Sequence, residues 1–318
     1  MKFIAIAVSF IVLVLGLAII FGGPAPLPAM PSINKPFSSV DFSDLPALKN
    51  YAAKDGVMLA YRHYEPTDVS PRGSVVLIHG SSASSNSLHV LAKAFASAGF
   101  SAYALDVRGH GASGQKGTIK YVGQLEDDLE AFTQAIPLKN PSTLVGFSSG
   151  GGFALRFAAS NRQELFQSYL LLSPFIHQNA PNARPTDGWV NIGIPRVIAI
   201  TILNRLGFTA FNDLPVTSFA LDDKAKKMLT PEYSFALATN FRLPMEYKAS
   251  IRNIHQPCAV LAGTGDELFQ TEKLEAIFRD EGKDWPVTLL PGVGHIPLTL
   301  DSDAVSEAVK IVIQLQTR

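Results

Sequence analysis

The chain is poor in cysteine and carries no excess charge of either sign, and both absences exclude classes of protein. Cys258 is the single cysteine among 318 residues, so neither an internal disulfide nor a multi-cysteine metal site can form. Lys and Arg total 27, as do Asp and Glu, which gives a formal net charge of zero. Nucleic-acid binding needs clustered basic charge, so this composition disfavours it.

Long apolar runs are plentiful by contrast, since apolar residues make up 47% of the chain. The first of them, residues 3–21, carries no charge. As a helix it would span roughly 28 Å, close to the thickness of a bilayer's hydrocarbon core. Residues 1–22 are therefore predicted to form a transmembrane helix or a signal segment.

An uncleaved anchor is favoured over a cleaved signal peptide for this segment. A signal peptide has a shorter apolar region and a small-x-small cleavage site, and the GGPAPLPAMP that follows offers no clean A-x-A. Lys2 and the α-amino group favour an N-terminus on the cytoplasmic side. The rest of the chain would then lie on the extracytoplasmic side, with secretion after cleavage as the alternative.

Residues 23–46 hold six prolines and are predicted to be an extended, semi-rigid linker. From residue 47 short apolar runs alternate with helical patterns, which predicts a mostly parallel sheet flanked by helices. The alternation covers 47–175 and resumes over 256–318. Between them, residues 176–255 contain apolar helical segments and no convincing strand, which predicts a helical cap. Such an insertion lies over the carboxyl edge of the sheet, where an open α/β sheet binds its ligand.

The stretch V-G-F-S-S-G-G-G at residues 145–152 joins a predicted strand directly to a predicted helix. So sharp a turn brings the residues two before and two after its tip close together, so both must lack a side chain. Only Ser148 has glycine at both offsets, in a G-x-S-x-G pattern. The pattern indicates a nucleophilic serine, while the N–H of Ser149 lies at a helix N-terminus, where an oxyanion would develop.

A serine hydroxyl needs a histidine to take its proton and an acid to orient that histidine. Both follow later predicted strands: Asp266 in G-T-G-D-E and His295 in P-G-V-G-H. Glu267 is the nearby rival for the acid, and Asp266 is favoured because it ends the G-x-G turn. The other strand and cap histidines are interpreted as ordinary surface or hydrogen-bonding residues, namely His63, His89, His177 and His255.

These residues resemble the α/β-hydrolase family over nearly all of 48–318, and the order Ser, Asp, His is that of the family. His79-Gly80-Ser81-Ser82 is similar to the family's oxyanion loop, which implies that the N–H of Ser81 joins that of Ser149. The turn at 106–113 resembles the family's D-x-R-G-x-G-x-S turn, which implies a structural role for Arg108 and His110. The segment 55–61 resembles the opening hairpin of the monoacylglycerol lipase and lysophospholipase-like branch.

The resemblance implies a serine hydrolase that cleaves a carboxylic ester through an acyl-enzyme, without metal or cofactor. The apolar cap and anchor favour an acyl-chain substrate, such as a monoacylglycerol, a lysophospholipid or a simple ester. An acyltransferase would use the same three residues, and a binding protein of this fold would usually have lost one of them. An aminopeptidase would need an acidic recess, for which the cap offers Asp222, Asp223 and Glu232, although a solvated charged helix face is the favoured interpretation of these acids. None of these motifs specifies the acyl-chain length, the leaving group or the oligomeric state.

Overall fold

A computed structural model describes residues 2–30, 35–67, 72–185 and 188–317. Residues 31–34, which include Pro31 of the predicted linker, lie outside the described residues. Eleven strands are described: β1 Leu48–Ala52, β2 Met58–Tyr64, β3 Gly73–Ile78, β4 Phe100–Leu105, β5 Ser142–Phe147, β6 Ser168–Leu172, β7 Val190–Ile192, β8 Pro215–Phe219, β9 Glu232–Ser234, β10 Cys258–Gly263 and β11 Val287–Leu290. The described α-helices are α1 Lys2–Phe21, α2 His89–Ser97, α3 Gln124–Ala135, α4 Ser149–Ala158, α5 Ile194–Arg205, α6 Asp223–Met228, α7 Phe235–Asn240, α8 Tyr247–Arg252, α9 Leu274–Arg279 and α10 Ser302–Gln316.

Eight strands form one sheet in the order β1-β2-β4-β3-β5-β6-β10-β11. Every neighbouring pair from β4 to β11 is parallel, whereas β2 is antiparallel to both β1 and β4. Residues of β3 to β6 and of β10 are buried throughout, because helices cover both faces. This is the predicted α/β-hydrolase fold, and its parallel strands end at one common edge.

The cap between β6 and β10 differs from the helical insertion that the sequence predicts. Besides α5 to α8 it contains a three-stranded antiparallel sheet in the order β7-β8-β9. The expectation of no strand there was wrong, and two of the three strands, β7 and β9, have three residues each. Three residues are too few to show the alternation by which a strand is recognised in a sequence.

The first helix packs its C-terminal end against the cap. Ile19 is buried in a small cluster with Ile200 of α5 and Val216 of β8. The Arg196 guanidinium donates to the carbonyls of Ile19 (2.8 Å) and Ile20 (3.0 Å), which have no partner within the helix. Helix α1 is long and apolar enough to cross a membrane, judged by length and composition.

The turn after β4 is held by an ion-pair network that is buried at Arg108 and Asp128 and reaches the surface at Lys120. Arg108 donates to Asp128 (2.7 Å) and to Asp55 (3.0 Å), and Lys120 also reaches Asp55 at 3.0 Å. Partial burial tends to raise the pKa of Asp55, but the hydrogen bonds from Lys120 and Arg108 outweigh it and hold the pKa at about 2. The structural role implied for Arg108 agrees with these contacts.

Asp55→Asn is expected to lower the free energy of unfolding near neutral pH, and this loss should become smaller as the pH falls. Because the folded pKa lies below that of the unfolded chain, ionised Asp55 stabilises the fold above about pH 4. That stabilisation is lost as the pH falls through the folded value of about 2. Thermal unfolding from pH 2.5 to 7 measures it, with Asp223→Asn, whose side chain is 97% exposed, as control. A variant-to-wild-type difference that is independent of pH would contradict the assignment.

Candidate active site

The serine predicted as nucleophile lies at the tip of the turn between β5 and α4. Ser148 has φ 56° and ψ −119°, a backbone conformation that costs free energy in a residue with a side chain. Its N–H donates to the Leu172 carbonyl, and its own carbonyl accepts from Gly152 and Phe175. These three hydrogen bonds hold the strained turn, so the serine projects beyond the carboxyl edge of the sheet.

The two flanking glycines are required by close backbone packing. A Cβ at Gly146 would lie 2.2 Å from the Gly150 carbonyl oxygen. A Cβ at Gly150 would lie 2.4 Å from the carbonyl oxygens of Ile78 and His79. The steric expectation for the G-x-S-x-G spacing is therefore met, since any side chain at either glycine would displace β3 or the turn.

The predicted acid and base lie together beyond the ends of β10 and β11. Asp266 Oδ2 is 2.8 Å from His295 Nδ1, and each residue is 2% exposed. The other carboxylate oxygen of Asp266 accepts from the N–H groups of Leu268 (2.8 Å) and Phe269 (2.9 Å). Burial tends to raise the pKa of Asp266, but the hydrogen bond and charge of His295 outweigh it and lower that pKa. The carboxylate is therefore held ionised and aimed at the imidazole.

Glu267 has a different partner. Its Oε2 accepts from the backbone N–H of His295 at 3.0 Å and does not contact the imidazole nitrogens. The ring of Phe147 lies 4.8 Å from the His295 ring, and that of Phe269 lies 5.3 Å away. His295 is thus positioned by Asp266 at its ring, by Glu267 at its backbone N–H and by two aromatic rings.

The two predicted oxyanion donors flank the serine. Ser149 is the first residue of α4, and Ser81 follows Gly80, where a Cβ would lie 3.2 Å from the Ser148 Cβ. Among the described residues, neither the Ser81 nor the Ser149 N–H donates to a protein acceptor. The Ser149 hydroxyl is buried and likewise has no partner in the described part of the chain. Both N–H groups are therefore available to a ligand.

A residue that the sequence did not single out holds the loop of Ser81 and Ser82, where one oxyanion donor is predicted. The N–H of Ser82 donates to the Tyr233 hydroxyl at 2.5 Å, and that hydroxyl lies 2.6 Å from His110 Nε2. The Ser82 hydroxyl donates to the Thr230 carbonyl at 2.7 Å. Burial lowers the pKa of His110 well below its usual value, so its imidazole is neutral. Tyr233 and Thr230 of the cap contact the loop directly, and His110 of the turn after β4 contacts Tyr233. The contacts between cap and loop join residues about 150 positions apart, so no local sequence pattern predicts them.

These residues open into one cavity of about 910 Å³ between the core and the cap. Ser148, Ser81 and His295 all line it. Its other lining is largely apolar and includes Phe147, Trp189, Leu221, Met228, Leu229 and Ile296. Basic side chains at the lining are Arg62, Lys116, Lys224 and Lys227. Within the described ranges, no group of three or more His, Cys, Asp or Glu side chains is arranged to hold a metal ion.

The acidic residues considered for an aminopeptidase recess are dispersed. Asp222 lines the cavity but caps α6 by accepting from the Ala225 N–H at 2.7 Å. Asp223 is solvent-exposed, and Glu232 lies on β9 outside this cavity. The other acid at the lining, Asp106, accepts from the N–H groups of Ser85 and Ala112. Of these three acids, the structure therefore places only Asp222 at the cavity.

Comparison with known proteins places the chain in a family. The family model described as serine aminopeptidase, S33, matches residues 69–303. The monoacylglycerol lipase of Mycolicibacterium smegmatis is 32% identical over 134 residues, which cover 40% of this chain and 46% of that protein. The non-heme chloroperoxidase of Burkholderia pyrrocinia is 31% identical over 110 residues, covering 35% and 38%. The chain thus spans less than half the length of these two relatives, and their names do not agree on one reaction.

A solved structure extends the likeness to almost the whole fold. A soluble variant of the monoglyceride lipase of Saccharomyces cerevisiae, in complex with a substrate analog, aligns with a TM-score of 0.65 at 22% identity. The alignment covers 87% of this chain and 96% of the yeast one. With the elbow, the strand order and the matched family model, the conclusion is direct: the chain belongs to the serine aminopeptidase S33 family and has the α/β-hydrolase fold.

Proposed function

We propose that this protein is a serine hydrolase that cleaves carboxylic esters of acyl chains. The observation that carries the proposal is the convergence of Ser148 and the Asp266–His295 pair on one largely apolar cavity. The relatives named monoacylglycerol lipase and monoglyceride lipase support the same substrate class. The reaction itself is argued from the residues of the site.

In the proposed mechanism His295 acts through the nitrogen that faces away from Asp266. His295 Nε2 takes the proton of Ser148 Oγ as that oxygen attacks the ester carbonyl, and then delivers it to the departing alcohol. Asp266 keeps the proton of the neutral imidazole on Nδ1 and stabilises the imidazolium that forms. Ser148 Oγ makes no hydrogen bond to another described residue. Catalytic hydrogen bonds are often long before substrate binds and tighten in the complex.

The N–H groups of Ser81 and Ser149 are proposed to stabilise the tetrahedral oxyanion. The Ser149 N–H also lies at the positive end of the α4 dipole, which favours developing negative charge. Water then attacks the acyl-enzyme, with His295 as general base, and releases the acid. Loss of one such donor typically costs about 10²- to 10³-fold in kcat.

The electrostatics of the cavity favour an ester over a peptide with a free α-amino group. Four basic side chains lie at the lining, whereas the two acids there, Asp106 and Asp222, already accept backbone hydrogen bonds. A substrate ammonium would therefore meet more positive than negative charge among the described lining residues. The apolar remainder of the lining complements an acyl chain, since burial of each CH₂ contributes about 0.8 kcal/mol.

A fluorophosphonate probe and a panel of esters graded in acyl length test this proposal. The probe is expected to label Ser148, located by peptide mass, and hydrolysis is expected to rise with chain length up to the capacity of the cavity. An alcohol acceptor added with the ester separates hydrolysis from acyl transfer by the products formed. A folded protein that neither reacts with the probe nor hydrolyses any ester would contradict the proposal and favour a binding protein.

Residues 1–22 are proposed to be a retained membrane anchor, with 23–46 as the linker. A segment destined for cleavage needs no fixed place in the mature protein, whereas Arg196 caps α1 and Ile19 is buried against the cap. Helix α5 adds an apolar stripe with side chains 40–66% exposed, formed at four-residue intervals by Ile194, Ile198, Ile202 and Leu206. Such a stripe beside a membrane-spanning helix is suited to contact with lipid.

Membrane fractionation is expected to recover the intact chain in carbonate-washed membranes. Peptide mass analysis of that material should find residues 3–21, since the anchor is not removed. Deletion of residues 1–22 should move the protein to the soluble fraction, and protease protection should place the hydrolase domain on the extracytoplasmic side. A mature N-terminus beyond residue 22 would contradict the anchor and establish a signal peptide.

A further inference from the structure

The segment between the membrane helix and the first strand takes part in the cavity. Phe37, Phe42, Leu45 and Leu48 all line it, opposite the cap. We infer that residues 35–48, named here the linker wall, form one side of the acyl-chain subsite and determine the chain-length specificity of the enzyme. The inference rests on the proposed ester hydrolysis for its reaction, and it assigns a ligand-binding role to a segment that the sequence predicts to be a spacer.

Three apolar residues of the linker wall lie outside the hydrophobic core. The buried hydrophobic clusters of the described residues do not include Phe37, Phe42 or Leu45. All three are half-buried and border the cavity. Large apolar side chains left outside the core but lining a concave site are typical of a surface that a ligand covers.

The linker wall is held on the hydrolase core by polar contacts. Asp44 accepts from Lys93 Nζ at 2.5 Å and lies 2.9 Å from His89 Nε2, both on α2. The Phe42 ring packs 5.9 Å from the His89 ring. Arg62 of β2 donates to the Pro46 carbonyl. These contacts fix the position of the linker wall on the hydrolase core, which also carries Ser148. The wall is therefore an ordered part of the site.

The composition of the wall indicates what it binds. Its own lining residues are two phenylalanines, two leucines and Ser38, none of them charged. Of the basic residues at the lining, Arg62 contacts the wall, and its guanidinium is engaged by the Pro46 carbonyl. An extended hydrocarbon chain complements such an apolar face, because each CH₂ buried against it strengthens binding about fourfold. A short acyl group buries too little apolar surface for its binding to depend on the linker wall.

Paired esters test the inference in the full-length protein in detergent. Phe42→Ala is expected to lower kcat/KM for p-nitrophenyl dodecanoate about tenfold and to leave the butyrate ester within about twofold. Asp44→Asn, which releases the wall without altering its apolar face, should shift the same ratio in the same direction. Phe208→Ala is the matched control, because this phenyl ring is 61% exposed and lies outside the cavity.

A binding measurement separates the wall from the reaction. Trp189 lines the cavity, so a bromine-labelled fatty acid bound in the Ser148→Ala protein should quench its fluorescence, and Phe42→Ala should raise the Kd about tenfold. An unchanged ester ratio in both wall variants, with an unchanged Kd, would overturn the inference while ester hydrolysis stands. If the wild-type protein hydrolyses no ester but Phe42→Ala still raises the Kd for the fatty acid, the binding role of the wall stands and the proposed reaction is overturned.

Discussion

Replacement of Ser148 by alanine is expected to lower kcat/KM for a medium-chain ester by about 10⁴- to 10⁶-fold. The variant keeps the fold, because Ser148 is held through its backbone N–H and carbonyl, which alanine retains. It loses the oxygen proposed to attack the ester, while the cavity and the proposed oxyanion donors remain. The measurement is ester hydrolysis together with fluorophosphonate labelling, both of which should disappear.

The neighbouring serine supplies the matched comparison. The Ser149 hydroxyl is buried and has no hydrogen-bond partner in the described part of the chain. Its proposed contribution is the backbone N–H, which Ser149→Ala retains, so this variant should still be labelled at Ser148. Labelling that persists in Ser148→Ala, or that is found on Ser149, would show that the nucleophile has been assigned to the wrong residue.

Asp266→Asn is expected to lower kcat by about 10⁴-fold with little change in KM. The asparagine oxygen can still accept from Leu268 and Phe269, as the aspartate does now. Its amide then turns a donor toward His295 Nδ1, which selects the tautomer whose Nε2 carries the proton and cannot accept one from Ser148. The measurement is kcat and KM across neutral to alkaline pH, with the rate of fluorophosphonate labelling as a second readout.

Glu267→Gln is the control for this prediction, because it changes the adjacent carboxylate in the same way. The glutamine oxygen can still accept from the His295 N–H, so the loss should stay below about tenfold. Equal losses in the two variants, or a larger loss for Glu267→Gln, would mean that orientation of His295 does not depend on Asp266.

The elbow shows what a local pattern can predict. Glycine at 146 and at 150 follows from the sharpness of one turn, so the serine between them could be identified from five residues. The order of strands and helices followed from alternation of apolar runs, and the parallel sheet brought Asp266 and His295 to the same edge. Both predictions depend on spacing within short segments, where steric rules act directly.

The cap and its surroundings show where such reasoning ends. Strands β7 and β9 have three residues each, too few for a recognisable alternation. Tyr233 contacts Ser82 across 151 positions of the chain, and nothing near either residue signals the pairing. Trp189 is likewise a lining residue only because the cap folds over the sheet.

By itself, the sequence determined the α/β class, the alternation of strands and helices in the core, the N-terminal apolar helix and the residue at the elbow, because each is imposed by steric or hydrophobic rules within a few turns. Only the tertiary structure decided that Asp266 rather than Glu267 faces the His295 ring, that Tyr233 holds the loop of Ser81 and Ser82, and that the linker wall lines the cavity. These contacts join residues far apart in the chain, and their geometry exists only once the core, the cap and the linker have packed against one another.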